Sequence, residues 1–500
     1  MEAGGRENLM SYVPRLYPFL QKTEYDWNYT TVEQKYACRE SKGVCRWPSG
    51  HVLGGSSSIN VMTYVRGNRK VFDSWAKAGN PGWKYEEVLP YFKKSEDQRN
   101  PTYAADTRHH GTKGHLAVSD IGYESVFGQA FVAAAKEIGL EERDINGEMQ
   151  TGVMKYQGTI SNGIRASTSK AFLEPVRDRK NLHIITESEA TKLIFDSSGN
   201  IATGVEYTRH GKRGKVVRAT KEVILSAGVI KSPQILALSG LGPKDDLDRL
   251  GIPVVKDLPV GRGLTDHSVV VLMFRVNRSS ALTTPEMIRR YVHNSTGPLS
   301  SSSVVAVAFF GTPFPGSFPN AQISAFNSIL SDDDVWSLAV IGVRPRSRGT
   351  LKLKSSDPRT PPQIDPNYYA DESDMTTMIG ALKQAFKLSR TPPLRKYNFT
   401  YDRSFHKLCS HIGDHNSDSY LRCLVVNYTQ SALHGTGTCR MGSRRDPWSV
   451  VDSTLRVKGT NNLRVIDASV MPEIVNGNTA AATIMIAEKG AQYIIDFYSP

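Results

Sequence analysis

A histidine in a loop of small residues offers acid–base chemistry. His434 is followed by Gly-Thr-Gly-Thr-Cys-Arg, and a histidine can act as a general base near neutral pH. A second polar group, Asn478, stands in the stretch Asn-Gly-Asn-Thr just before an apolar helical pattern. Taken singly, a lone histidine is more often a structural side chain, and Asn478 or Thr479 could simply cap that helix.

A glycine- and serine-rich turn is a second candidate. In the run Gly54-Gly55-Ser56-Ser57, small residues let backbone N–H groups come close to an anion or a flat ring. A flexible linker is the alternative, but Leu53, Ile59 and Met62 on either side favour a packed turn. We predict that an apolar helix begins directly after this turn.

An acidic residue stands near the start of the chain. Glu2 precedes Ala-Gly-Gly, and an acid at the end of a strand can bind the two hydroxyls of a ribose. A plain exposed terminus would give the same four residues, so this signal depends on the other motifs.

Two strand–turn–helix units are predicted to position these groups. The first is a strand over residues 221–226 that ends at Ala227-Gly228 and precedes a helix over 232–238. The second is a strand over 464–467 that ends at Asp467-Ala468, before a helix over about 479–497. Such units present a helix N-terminus to phosphate.

Periodicity predicts the remaining elements. A helix is expected over 127–139, where apolar residues recur at helical spacing and Gly139 can end it. The basic run 209–215 lies between two short strands, which favours a solvated hairpin tip over a nucleic-acid patch. Residues 268–427 are richer in proline, serine and charge, and predict a separate, less regular domain. Further strands are predicted over 182–185, 191–195, 204–207 and 216–217.

Length and composition limit the class of protein. The 500 residues predict two or more domains. Hydrophobic residues make up 39% and charged residues 22%, which excludes a disordered, collagen-like or coiled-coil chain. The formal charge of +13 suits an anionic cofactor, acidic glycans or nucleic acid about equally well. The sequence contains no run of 18 apolar residues, so no membrane span is predicted.

The cysteines predict two local disulfides. Cys38 with Cys45, and Cys409 with Cys423, could each close a short loop, which leaves Cys439 alone. None of these spacings matches a zinc site, so no metal centre is predicted. Together with sequons for N-glycosylation, the cysteine pairs favour a secreted protein. The sequons begin at Asn28, Asn277, Asn294, Asn398 and Asn427.

Taken together, the motifs resemble the glucose–methanol–choline (GMC) oxidoreductase family. The likeness runs from Glu2 to about Tyr493, and the cysteine pairs with Asp26-Trp27-Asn28-Tyr29 are most similar to the insect glucose-dehydrogenase-like branch. Five widely spaced signatures occur in the family's order. They are Gly54 to Asn60, Ser226 to Pro243, Val260 to His267, His434 to Gly442 and Leu463 to Asn478.

The resemblance implies an α/β fold with two domains, α+β overall. One is an FAD-binding, Rossmann-like domain, and the other is a substrate domain built on an antiparallel sheet plus helices. The expected boundaries are 1–64, 155–268 and 428–500 for the FAD-binding domain, and 65–154 and 269–427 for the substrate domain. Segments 279–291 and 320–335 are expected to be shorter than is usual in the insect branch.

One family feature is missing from the sequence. Family members begin with a strand and a G-x-G-x-x-G turn upstream of the ribose acid, and this chain has no such fingerprint. A phosphate-binding unit of this kind spans about 30 residues. The FAD-binding domain is therefore expected to be incomplete at its N-terminus, and the chain to be a fragment of a secreted protein.

The resemblance also implies a reaction. An FAD enzyme of this kind oxidises a CH–OH donor, an alcohol or sugar, by hydride transfer to flavin N5. His434 would take the hydroxyl proton and Asn478 would hydrogen-bond the substrate oxygen. The donor and the electron acceptor, quinone or oxygen, stay open, and no nucleic-acid partner is expected.

Cofactor contacts carry over residue by residue. Glu2 matches the ribose acid, Ala190 lies where a backbone contact to adenine is usual, and Ala227 with Gly228 lies near the pyrophosphate. Thr479 starts the helix whose positive end would face the flavin. The stretch that passes the flavin comprises Gly54, Gly55, Ser56, Ser57, Asn60, Val61, Met62 and Thr63, and the flavin-side strand ends at Asp467 and Ala468.

Two other interpretations remain open at this stage. The chain could be a non-catalytic remnant or binding protein that does not retain flavin, because His434 and Asn478 can persist without a cofactor. It could also be a lyase of the same family that uses the flavin only structurally.

Overall fold

The computed structural model describes residues 1–277, 283–312, 316, 318–327 and 335–499. The helices of nine or more residues in this part of the chain are α1 (Arg69–Lys77), α2 (Tyr85–Ser95), α3 (Val126–Glu137), α4 (Gly228–Leu238), α5 (Thr284–Asn294), α6 (Glu372–Ser389), α7 (Asp418–Tyr428) and α8 (Ala480–Tyr498). The main strands are β1 (Gly152–Lys155), β2 (Ser188–Phe195), β3 (Ala202–Arg209), β4 (Lys212–Arg218), β5 (Val223–Leu225), β6 (Ser268–Arg275), β7 (Val304–Phe310), β8 (Ala321–Asn327), β9 (Val335–Gly342) and β10 (Leu463–Val465).

A seven-stranded antiparallel sheet dominates one part of the molecule. Its order is Thr400–Tyr401, β6, β9, β8, β7 and β1, and Gln430–Ser431 also pairs with β6. One face packs against α3, α6 and α7 in a large apolar core. The strands are rich in valine, isoleucine and phenylalanine, which suit a pleated, buried surface. The mixed α/β class is confirmed, but residues 268–427 are more regular than the sequence predicted.

A short parallel pair contributes to the apolar core of the other part. β5 and β10 pair in register, with Val223 opposite Leu463 and Leu225 opposite Val465. Helix α4 follows β5, and α8 follows β10 after a loop. Both predicted strand–turn–helix units are therefore present, although β5 is shorter than predicted and α4 begins earlier, at Gly228.

Two predictions of local structure are wrong. Residues 182–185 form no strand, because among the residues the structure describes they pair in no ladder and Ile185 only accepts a hydrogen bond from Glu2 N, at 2.8 Å. No helix follows the glycine–serine turn, which is a single 3₁₀ turn, Gly55–Ser58. The chain after it runs extended along neighbouring segments, where Thr63 bridges Gly158.

Other predictions are confirmed. The helix expected over 127–139 is α3. The basic run 209–215 contains the tip of the β3–β4 hairpin, His210 and Gly211, and the exposed start of β4. Cys38 bonds Cys45 and Cys409 bonds Cys423, while Cys439 is buried and free. Among the described helices, none is both long and apolar enough to cross a bilayer.

One strand pairing of the large sheet joins the two segments of the predicted substrate domain. Strand β1, from the first predicted substrate segment, pairs with β7, from the second. Residues 278–282, 313–315, 317 and 328–334 of that predicted domain lie outside the described residues. The lengths expected for 279–291 and 320–335 overlap these gaps and stay predictions.

Candidate active site

Two antiparallel segments bring His434 into the interior. Ser431 pairs with Ser268 at the start of β6, and Thr436 exchanges backbone hydrogen bonds with Thr265, of 2.8 and 3.1 Å. The segment before β6 therefore runs beside the His434 loop. His267 lies next to His434 for this reason, although 167 residues separate them in the chain.

The His434 imidazole is held at both nitrogens. Asn478 Nδ2 lies 3.0 Å from Nε2, and His267 Nδ1 lies 3.0 Å from Nδ1. Because the Asn478 amide N–H donates, Nε2 accepts, and the ring proton is assigned to Nδ1, where it is donated to His267. Nε2 therefore carries the lone pair on the side of Asn478.

Burial keeps this pair of rings neutral. Desolvation lowers the pKa of His434 to about 4. Desolvation, followed by the nearby His434, also lowers the pKa of His267 well below its ordinary value. A charged imidazole loses hydration in such a site without gaining a carboxylate at the ring. At neutral pH, His434 is therefore an unprotonated base.

Asp266 fixes the backbone of the histidine loop. Its Oδ1 accepts from His434 N at 2.7 Å, and its Oδ2 accepts from Ser431 Oγ at 2.6 Å and from the Tyr368 hydroxyl. Burial raises the pKa of this carboxyl to about 6, and its hydrogen bonds oppose the rise. The carboxylate acts on loop geometry through the backbone rather than through the ring.

Asn478 is positioned by the residues around Asn476. The Asn476 side chain accepts from Asn68 N at 2.8 Å and donates to Gln150 Oε1 at 2.9 Å and Pro319 O at 3.1 Å. Gln150 Nε2 in turn donates to Asn476 O at 2.6 Å. The loop before α8 is thereby tied to three separate segments, and Asn478 Oδ1 accepts from Gln322 Nε2 at 3.3 Å.

The glycine–serine turn forms a closed backbone unit. Gly54 has φ +98°, and a Cβ there would meet Ser58 Oγ at 2.4 Å, so only glycine fits. Ser57 Oγ donates to Gly54 O at 2.6 Å and accepts from Thr168 N at 2.9 Å. Ser56 is exposed and its Oγ accepts from Gly50 N.

The following residues pack under the large sheet. Asn60 Oδ1 accepts from Met62 N, at 2.9 Å, and from the buried Arg165, also at 2.9 Å. Val61 O accepts from the Tyr156 hydroxyl at 2.7 Å, and Met62 and Thr63 are buried. This segment therefore joins the turn to the core beside β7.

The predicted pyrophosphate and flavin-side residues meet at the ends of the parallel pair. Asp467 Oδ2 accepts from Gly228 N at 2.9 Å and Ser232 Oγ at 2.6 Å, which links the two turns. Ala468 begins a 3₁₀ turn after Asp467. Carboxyl ends of adjacent parallel strands lie at one edge of a sheet, which is where ligands bind in such folds.

Glu2 lies beside the start of β2, the strand that carries Ala190. Ser188 N, at the start of β2, donates to Glu2 O at 2.8 Å, and Ala190 lies two residues further along β2. Burial raises the pKa of Glu2, and hydrogen bonds such as that from Gly4 N oppose the rise. Gly5 forms a parallel bridge with Val52, so this segment also adjoins the glycine–serine turn.

Open space at two glycines fits a large cofactor. Gly55 has φ +56° and Gly228 has φ +83°, and a Cβ on either would meet nothing within 4 Å. Ala227 beside Gly228 is exposed at the end of β5. Backbone that is open on this side can be approached closely by a dinucleotide. Gly55 and Gly228 therefore leave room for a cofactor at these points, and the assignment of the FAD contacts stays a prediction.

Sequence reasoning missed Asp266, His267 and Gln322 as site residues. The first two belong to a family signature but carried no assigned role. Gln322 and Ser324 are buried polar residues that alternate with apolar ones in strand β8, and this alternation is the signal that could have identified them. Among the described residues, no group of three or more His, Cys, Asp or Glu side chains could hold a metal ion.

Comparison with known proteins places these features in a family. A model described as GMC oxidoreductase matches residues 29–269, and a second with the same description matches 345–487. Glucose dehydrogenase [FAD, quinone] of Drosophila pseudoobscura pseudoobscura is 37% identical over 98% of this chain and 81% of its own length. Alcohol dehydrogenase [acceptor] of Pseudomonas putida is 36% identical over 99% and 90%, respectively.

Solved structures of other proteins are similar to this chain over nearly its whole length. Pyridoxine 4-oxidase from Mesorbium loti superposes with a TM-score of 0.86 at 26% identity, over 100% of this chain and 94% of that one. A formate oxidase structure gives a TM-score of 0.88 at 26% identity, over 99% and 93%. The similarity therefore extends over nearly the whole chain.

Proposed function

This chain belongs to the GMC oxidoreductase family, and from that premise we propose that it is an FAD-dependent oxidoreductase acting on CH–OH donors. The observation that carries the proposal is the buried His434–Asn478 pair, with Nε2 and Nδ2 3.0 Å apart. An unprotonated imidazole beside an amide donor is suited to taking a proton from an alcohol while the amide holds the oxygen.

His434 Nε2 is the proposed proton acceptor. Its lone pair is engaged by Asn478 Nδ2 at 3.0 Å. An alcohol O–H would replace the amide at Nε2 and lose its proton there, while Asn478 Nδ2 donates to the alcohol oxygen. The opposite nitrogen, Nδ1, keeps its proton and donates it to His267 Nδ1 at 3.0 Å, which fixes the tautomer and the ring plane. FAD, when bound, supplies the two-electron acceptor, a hydride acceptor at N5.

Asn478 orients the donor oxygen. Its Nδ2 points at Nε2, and its Oδ1 is engaged by Gln322. The Asn476 and Gln150 side chains are buried and mutually hydrogen-bonded, so the amide is held before substrate arrives. Positioning of this kind is worth a large part of a catalytic barrier.

The proposed cofactor contacts follow the assigned residues. Glu2 and Ala190 would hold the adenosine end, and Ala227 with Gly228 the diphosphate. The residues from Gly54 to Thr63, the Asp467 turn and Thr479 would face the flavin. The open glycines Gly55 and Gly228 support this assignment. The N-terminus of α8, which begins after Thr479, would favour negative charge on the ring.

The domain division and location are part of the proposal. Residues 1–64, 155–268 and 428–500 would form the FAD-binding domain, and 65–154 and 269–427 the substrate domain. The pairing of β1 with β7 supports the second grouping. The two disulfides support export of the protein to an oxidising compartment.

The test is the rate of flavin reduction in His434→Ala. With the FAD-loaded chain mixed anaerobically with an alcohol that bleaches the wild type, the variant should be slower by roughly 10²–10⁴-fold, the usual worth of a general base. An unchanged rate would remove His434 from the role. A wild-type chain that stays colourless after purification and incubation with FAD would instead favour a remnant without flavin.

A further inference from the structure

The large sheet has a second face, opposite the helices, that adjoins His434. Residues directly opposite each other in antiparallel strands share a face. Gln322 and Ser324 therefore share this face with the residues that pair with them on β7 and β9. These residues are Phe309, Val307, Ile341 and Ala339.

The same face continues onto β6. Val269 pairs with Ile341, Val271 with Ala339, and Met273 with Ser337. Val269, Ala339 and Ile341 pack in one apolar cluster, against which Val271, Phe326 and Ala432 lie. The face presented toward the histidine loop is thus mainly apolar, and Gln322, Ser324 and Ser337 are its polar members.

Exposure rises along this face with distance from the Asn478 amide. Gln322 is 1% exposed and Ser324 is 3% exposed. Val271, Met273 and Phe326, further along the strands, are half-buried. The apolar surface therefore leads from solvent inward to the polar pair.

The inner end of this surface holds a polar atom without a partner. Gln322 Nε2 donates to Asn478 Oδ1 at 3.3 Å and to Ser324 Oγ at 3.0 Å. Gln322 Oε1 is buried and, among the described residues, accepts no hydrogen bond. Buried acceptors are nearly always satisfied, so this atom points to a hydrogen-bond donor on a ligand.

An exposed apolar residue directly precedes the base in the chain. Leu433 is 40% exposed and has φ +63°, which is costly for a residue with a branched side chain. Its N–H donates to Ser431 Oγ at 2.9 Å, which holds the turn. The residue directly before His434 is thus held with an apolar surface exposed.

We propose that the donor alcohol has an extended apolar body, which lies along Val271, Met273 and Phe326, and a single polar end at His434, Asn478 and Gln322. This inference rests on the proposed function and names its substrate class. A sugar would bring several hydroxyls against the face, where the described residues offer few partners for them. Hydroxyls buried without partners would weaken its binding.

Binding to the full chain tests the inference without turnover. Saturation-transfer NMR with 1-octanol and D-glucose should give a saturable signal for 1-octanol and at least tenfold weaker binding of glucose. Val271→Asn should raise the dissociation constant for 1-octanol fivefold or more. Val217→Asn, the same change at a 40% exposed valine on β4, should leave it unchanged.

Met273→Gln nearly conserves side-chain volume and is the second variant to measure if Val271→Asn does not fold. It should also raise the dissociation constant for 1-octanol. The inference would be overturned if glucose bound as tightly as 1-octanol, or if neither substitution changed the dissociation constant for 1-octanol. With FAD loaded, bleaching by glucose in preference to 1-octanol would overturn it while leaving the proposed function intact. Octanol binding that depends on Val271, with no alcohol able to bleach the flavin, would support the apolar site and overturn the proposed function.

Discussion

Two buried histidine clusters in this protein have opposite electrostatics. The His434 ring binds an amide and a second imidazole, and desolvation lowers its pKa to about 4. The His110 ring binds Glu96 Oε1 at 3.0 Å and Asp144 Oδ2 at 2.7 Å. Desolvation also acts on His110, but these two carboxylates outweigh it and raise its pKa.

The difference shows that burial alone does not set the charge of a histidine. Glu96 also pairs with the buried Arg66 at 2.7 Å, and its own pKa is lowered because Arg66 and His110 overcome the effect of desolvation. The His110 cluster is a compensated network of charges, which fixes structure. The His434 pair is desolvated and uncharged at neutral pH, so Nε2 keeps the lone pair through which a base acts.

The largest effect on stability is expected when Glu96, which contacts both Arg66 and His110, loses its charge. Glu96→Gln leaves the Arg66 guanidinium buried without its carboxylate, so the free energy of unfolding should fall by about 3–5 kcal/mol. Urea unfolding followed by circular dichroism measures this. Glu33→Gln is the matched control, because the Arg39–Glu33 pair at 2.7 Å is exposed and should change stability by less than ~1 kcal/mol. Equal effects of the two substitutions would contradict the view of the cluster as a structural network.

A smaller effect is expected in the pH dependence of stability. The folded pKa of His434, about 4, lies below its ordinary value of 6.5, so folding favours the neutral ring. Its contribution to stability is therefore complete above about pH 6.5 and is lost progressively as the pH falls from 6.5 to about 4. When the pH is lowered from 7 to 4.5, the free energy of unfolding should fall by ~2–3 kcal/mol less in His434→Gln than in the wild type. Identical pH profiles would show that the ring titrates normally.

The smallest effect is expected at one carboxylate of the His110 cluster. Asp144→Asn removes a charge but keeps an oxygen, so the pKa of His110 should fall by about one unit. In the wild type, protonated His110 stabilises the fold at pH values below its pKa in the unfolded chain. This stabilisation is lost as the pH rises through the pKa of His110 in the folded protein. NMR titration of the imidazole protons measures the shift. Asp106→Asn, beside His109, is the control and should not move the His110 titration.

Local patterns in the sequence were sufficient for several elements. Apolar residues at helical spacing predicted α3, and short separations predicted both disulfides. The strand predicted over 182–185 failed because a strand needs a partner, and its apolar pattern carries no information about one. The strand order of the seven-stranded sheet, with β1 beside β7, could not be predicted from local sequence either, because this pairing joins segments about 150 residues apart.

The reactive residue types and their order were determined by the sequence itself. His434, Asn478 and the small-residue turns are recognisable from side-chain chemistry and short spacing along the chain. The tertiary structure decided what surrounds them. His267 reaches His434 across 167 residues and Gln322 reaches Asn478 across 156, and both contacts depend on the register of β6 and β8. Sheet register is set by packing of the whole core, so the tautomer of the base and the apolar wall beside it exist only in the folded protein.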